Sequence, residues 1–129
     1  MNIVGMSRDQ LLSLQPSNVI RRLTASEVEH IATSLGAFWS YDYQVAEGGK
    51  VGMHAELKSG LHSDGFFVSR ILLAPDNICR LMAQQMVALL AEKLPPDTPD
   101  YVAGIPDGAT KLGAVVADIL GVPVAKMEK

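Results

Sequence analysis

The chain has 129 residues, 48% hydrophobic and 19% charged, with a net charge of -3 and one cysteine. That length suits one domain at most, burying roughly two-thirds of its unfolded surface, and the composition favours a packed core over disorder. The charge offers no basic field for nucleic acid, no apolar run nears the ~20 residues that span a bilayer, and a lone Cys79 excludes an internal disulfide, so a cytoplasmic protein without nucleic-acid or membrane partners is expected.

Residues 7–14 suit a short first helix ended by Pro16. Thr24-Ala25-Ser26-Glu27 reads as a capping box, in which the Thr side chain accepts a backbone N–H and Glu27 reaches back. Val28, Ile31, Ala32 and Leu35 then repeat at helical spacing, and Gly36 can end the helix in the left-handed region. The aromatic-rich run Phe38 to Val45 suits a strand, and Glu47 to Lys50 a turn. Met53 to Leu57 alternates apolar and polar residues, runs into a Ser-Gly turn, and resumes as Phe66-Phe67-Val68.

Pro75-Asp76 opens the longest helix. Asp76 is the expected N-cap, Ile78, Leu81, Met82, Leu89 and Leu90 form a wide apolar face, and Pro95-Pro96 prevents continuation. Cys79 falls within that pattern as a buried small hydrophobe. Tyr101 to Ile105 is then a short strand, Pro106-Asp107-Gly108 a turn, and Ala109 to Leu120 an amphipathic helix. Gly121 is its C-cap and Val122 to Ala125 a second strand. This is a βαβ unit, for which parallel strands and a right-handed crossover are expected.

Two places suit chemistry. In one, Lys58 at a strand end faces Phe66 and Phe67 across a hairpin, setting a positive charge beside flat apolar surface, which suits a planar anion. The plain alternative is an ordinary hairpin with a solvated lysine and two core phenylalanines. In the other, Pro106-Asp107-Gly108-Ala109-Thr110 joins a strand to a helix whose first N–H groups lack internal partners, a natural anion site. The alternative is a structural turn capped by Asp107 or Thr110. The loop is not a Walker A motif, since Ala114 follows Gly113 where that motif has lysine, and no dinucleotide fingerprint is present. Lys111 can contribute from the first helical turn or stand exposed. His30, His54 and His62 lack metal-ligand spacing, so no protein-held metal is expected.

Leu57-Lys58-Ser59-Gly60-Leu61-His62-Ser63-Asp64-Gly65-Phe66-Phe67 resembles a substrate-binding segment of orotate phosphoribosyltransferases. A second resemblance lies at Val102-Ala103-Gly104-Ile105-Pro106-Asp107-Gly108-Ala109 and the following Val122-Pro123-Val124-Ala125. In order and spacing the two blocks cover about residues 53–129. The resemblance implies a type I phosphoribosyltransferase-like α/β fold, a parallel sheet flanked by helices, preceded by an N-terminal helix and hairpin region. It divides the chain into 1–50 (helices and strand), 51–74 (base-side hairpin) and 75–129 (helix plus βαβ unit with the pyrophosphate loop).

The implied activity is transfer of ribose 5-phosphate from phosphoribosyl pyrophosphate to orotate in pyrimidine nucleotide synthesis. Mg²⁺ would be bound with the phosphoribosyl pyrophosphate, and the enzyme would be a homodimer. Lys58, Phe66 and Phe67 then bind substrate, Asp107, Gly108, Ala109 and Thr110 form the pyrophosphate loop, and Lys129 contacts phosphate. Departures lie at Gly108, a lysine in many bacterial members, and at Leu61 and Gly65, often arginine and tyrosine. Glu128 also stands where arginine is common. The paired acids and Thr-Thr-Gly-type turn of the family's ribose-phosphate side have no match in the chain. A single, incomplete domain lacking the C-terminal part of the fold is therefore expected, inactive alone and with no catalytic residue of its own. The far edge of its last strand would be open. The alternative is a non-catalytic phosphate- or nucleotide-binding module derived from that family.

Overall fold

A computed structural model describes residues 1–40, 55–56 and 59–127. The N-terminal segment forms two 3₁₀ turns, Ile3–Gly5 and Pro16–Asn18, around α1 (Arg8–Leu12), and leads into α2 (Ala25–Ser34). Both helices open with complete capping boxes, Ser7 with Gln10 and Thr24 with Glu27. The first was not foreseen, although Ser-x-x-Gln carries the same signal. Gly36 follows α2 with φ +77°, the left-handed residue expected there.

Three two-stranded sheets follow. β1 (Phe38–Ser40) pairs antiparallel with β4 (Gly65–Phe67), setting Phe38 opposite Phe67 and Trp39 opposite Phe66. β2 (Ala55–Glu56) pairs antiparallel with β3 (His62–Ser63). The hairpin expected to join the Met53–Leu57 segment to Phe66-Phe67 is therefore not the pairing observed. Ala55-Glu56 pairs with His62-Ser63 instead, and β4 bonds to β1; Met53, His54 and Leu57 lie outside the described residues. The remainder of the 38–45 run lies outside the described residues.

α3 (Ser69–Leu73) and α4 (Asp76–Lys93) meet at a corner formed by Ala74 and Pro75. Pro75, not Asp76, is the N-cap of α4, and no side chain caps it. The Asp76 carboxylate is drawn aside to Lys111 at 2.7 Å. Leu94 ends α4 ahead of the two prolines. The expected βαβ unit is present but shorter: β5 (Val102–Ala103), α5 (Thr110–Leu120) and β6 (Val124–Ala125), with the strands parallel. Gly121 closes α5 at φ +70°. β5 and β6 form a two-stranded parallel sheet, not a full one, and Ile105 and Val124 beside it are 66% and 48% exposed.

The core lies where the N-terminal segment docks onto α3 and α4. Ile3, Leu11, Ile31, Ile78 and Leu81 are essentially inaccessible there. Two polar side chains of α4 fasten that docking. The Asn77 amide donates to the carbonyls of Leu11 and Leu14, both at 2.9 Å, at the open end of α1. Gln85 accepts from the Leu23 amide at 2.9 Å and donates to the Arg21 carbonyl at 3.0 Å. The apolar face of α4 is buried only along its first half: Cys79 is inaccessible, whereas Met86 and Leu89 are over 40% exposed. Among the described residues no helix is long and apolar enough to cross a membrane.

Candidate functional site

The loop between β5 and α5 is shaped by two glycines that face each other. A Cβ on Gly104 would run into the Ala109 carbonyl, and one on Gly113 would lie 2.6 Å from the Gly104 Cα. Helix α5 can thus settle directly on the strand end, with its N-terminus beside the loop. Ala109 is the N-cap and makes no side-chain capping bond. Its amide donates to the Ile105 carbonyl at 3.1 Å, and its carbonyl accepts from the Gly113 amide at 2.8 Å. The Pro106–Asp107 peptide bond is cis. Ala109, as N-cap, contributes no side-chain cap to α5, and the N–H groups of a helix's first turn attract anions. Asp107, Gly108 and Thr110 are exposed and Ala109 is half-buried.

Adjacent residues of a strand point to opposite faces. Phe66 and Phe67, both partly exposed, therefore do not line one side of a pocket together. Phe67 lines an apolar groove of about 380 Å³ with Leu72, Met86, Leu89 and Leu112, and Ser69 stands in its wall. The Ser69 hydroxyl oxygen lies 3.0 Å from the place a Cβ on Gly108 would take. The segment 67–69 and the loop around Gly108, about 40 residues apart in sequence, thus meet at one end of the groove. Sequence reasoning missed Ser69, Gly104 and Leu112. A glycine pair nine residues apart across a strand–helix turn was a usable signal; Ser69 carried none.

Lys111 sits in the first turn of α5. Its ammonium donates to Asp76 and to the Ala74 carbonyl, both at 2.7 Å, so the side chain is exposed but not free. The hydrogen bond from Lys111, and then its charge, hold the Asp76 carboxyl below its usual range. Burial pushes the Cys79 thiol up, which keeps it protonated and unreactive. The His30 ring bonds through Nε2 to the Met6 carbonyl at 2.8 Å, a structural role. Among the described residues no three His, Cys, Asp or Glu side chains gather where a metal ion would bind. Lys58 and Lys129 lie outside the described residues.

No protein-family model matches the sequence, and no curated protein matches it. The fold is similar to part of the solved structure of Leishmania donovani UMP synthase, with a TM-score of 0.59 and 23% identity. The match covers 84% of this chain and 21% of the other, so the chain spans about a fifth of that protein's length. At this identity the likeness shows the fold alone.

Proposed function

We propose that the chain carries the base and pyrophosphate side of an orotate phosphoribosyltransferase-like site. The supporting observation is the meeting of Phe67, through Ser69, with the Gly108 loop. It brings an apolar wall and the loop before a helix N-terminus together at Ser69. The structural neighbour is by name a UMP synthase, a maker of a pyrimidine nucleotide, which is the class of product the sequence resemblance implies.

In the proposed reaction an orotate ring nitrogen bonds to C1 of the ribose and gives up its proton to solvent or the leaving group, as the bond from C1 to the pyrophosphate oxygen breaks. Pyrophosphate leaves with the electron pair. The chain's part is positioning and charge stabilisation. Phe67 would lie against the base, with Phe66 supporting it from the opposite face of β4 and Lys58 supplying charge. Backbone N–H groups of Asp107, Gly108 and Thr110 would hold the leaving diphosphate, with the Ala109 N–H engaged by the Ile105 carbonyl to shape the loop, and Lys129 would hold a phosphate. Mg²⁺, entering with phosphoribosyl pyrophosphate, would neutralise diphosphate charge. A homodimer and a cytoplasmic location belong to the same reading.

Purified chain titrated with orotate and with magnesium pyrophosphate tests the reading. Saturable binding of both is expected. Because the chain has no match to the family's ribose-phosphate turn, turnover of orotate at ordinary enzymatic rates is not. Binding of pyrophosphate without orotate would favour the non-catalytic phosphate-binding module, and binding of neither would reject both.

A further inference from the structure

Lys111 is at the wrong end of its helix. A cation in the first turn of α5 opposes the helix dipole, whereas Asp76 in the first turn of α4 suits its own. The ion pair does not explain the placement either. The Lys111 and Asp76 side chains are 44% and 96% exposed, and pairs so open contribute little to stability. What the lysine does is geometric. It donates at once to Asp76 at the start of α4 and to Ala74, whose carbonyl terminates α3. The α3–α4 corner is thereby tied to the residue that follows Thr110. At the other end of α3, Ser69 rests against Gly108.

We infer that Lys111 and Asp76 are a positioning pair for the anion-binding loop, holding residues 106–110 in register with the α3–α4 corner. The inference rests on the proposed function of that loop and adds two residues to it. Neither touches the anion. Lys111 acts by fixing where α5 begins, and Asp76 acts by holding Lys111.

The variants Lys111→Met, Asp76→Ala and Lys111→Arg in the full 129-residue chain decide it, with two readouts. The first is amide exchange in ligand-free protein. Exchange at Ala109, whose amide bonds across the loop to Ile105, and at Gly113, whose amide closes the first turn of α5 onto Ala109, should quicken about tenfold in Lys111→Met and Asp76→Ala relative to the middle of α5. Lys111→Arg, which keeps a charged donor able to reach both partners, should match the parent. The second is pyrophosphate affinity across a salt series. Asp76→Ala removes a negative charge, so by charge alone it should tighten anion binding; the positioning role requires it to weaken binding several-fold. Tighter binding in Asp76→Ala, or unchanged exchange in both variants, overturns the inference. If the parent binds no pyrophosphate, the proposed function fails, while the exchange experiment still decides whether the pair orders the loop.

Discussion

The Ser69 hydroxyl and Gly108 stand so close that a Cβ added to the glycine would sit 3.0 Å from the oxygen. Only that one rotatable side-chain atom is in the way, so Gly108→Ala should fold normally, within about 0.5 kcal/mol of the parent. Gly108→Val should also fold but lose pyrophosphate binding, because a branched side chain fills the space a phosphate needs. Thermal melts and titration of both variants separate the two effects. Equal pyrophosphate affinity in Gly108→Val would remove the loop from the site.

Gly104 and Gly113 have no such latitude. Their added Cβ atoms would meet backbone, the Ala109 carbonyl and the Gly104 Cα respectively, which cannot rotate away. Each Gly→Ala change should cost about 1–3 kcal/mol by overpacking and push α5 off β5. Denaturant unfolding of the two variants checks this.

The Arg21–Glu27 pair joins the link after the second 3₁₀ turn to the start of α2 with two hydrogen bonds at 2.7 and 2.6 Å. Arg21 first, then the Thr24 backbone, lower the Glu27 carboxyl from 4.5 to about 2. A depressed carboxyl stabilises the fold above its unfolded pKa and stops doing so as pH falls through the folded value. The parent should therefore lose stability between about pH 4.5 and about 2. Glu27→Gln keeps a capping-box residue but removes the charge, so its melting temperature should be several degrees lower at neutral pH and flatter across that window. Parallel pH profiles for the two proteins would contradict this.

Phe67 and Phe66 should differ as ligand contacts. Phe67 shares the groove with Ser69, whereas Phe66 is paired with Trp39 on the other face. Both rings are only half-buried, so either change to alanine should cost about 1 kcal/mol of stability. Orotate affinity should fall much further in Phe67→Ala than in Phe66→Ala. On the sequence resemblance, Lys58→Ala should also lower orotate affinity while leaving stability within about 0.5 kcal/mol. Indistinguishable affinities for the two phenylalanine variants would place the base elsewhere.

The helices other than α3, which was not foreseen in the 51–74 segment, and the βαβ unit were legible because their signals are local. The Thr24–Glu27 box, Gly36, Pro95-Pro96 and Gly121 act on their immediate neighbours, and each does in the structure what its chemistry implies. Strand pairing was not legible. Phe66-Phe67 and the Met53–Leu57 segment both suit strands, but nothing in either states that β4 will bond to β1 while β2 folds onto β3. Asp76 was misread for a related reason. As a helix-start residue it has the right chemistry for a cap, and the lysine that claims its carboxylate lies 35 positions along the chain. The meeting of Ser69 with Gly108 is likewise a product of packing between distant segments.

The central claim is that the Gly108 loop and the Phe67 wall form one ligand site. Amide titration of the whole chain with magnesium pyrophosphate, then orotate, tests it most directly. The account predicts saturable shifts at residues 107–111 and at Ser69 with pyrophosphate, weakening as salt screens the charge. Shifts at Phe67 and Leu112 should follow when orotate is added. An unperturbed loop at millimolar pyrophosphate, or orotate shifts confined to residues remote from Phe67, would contradict it.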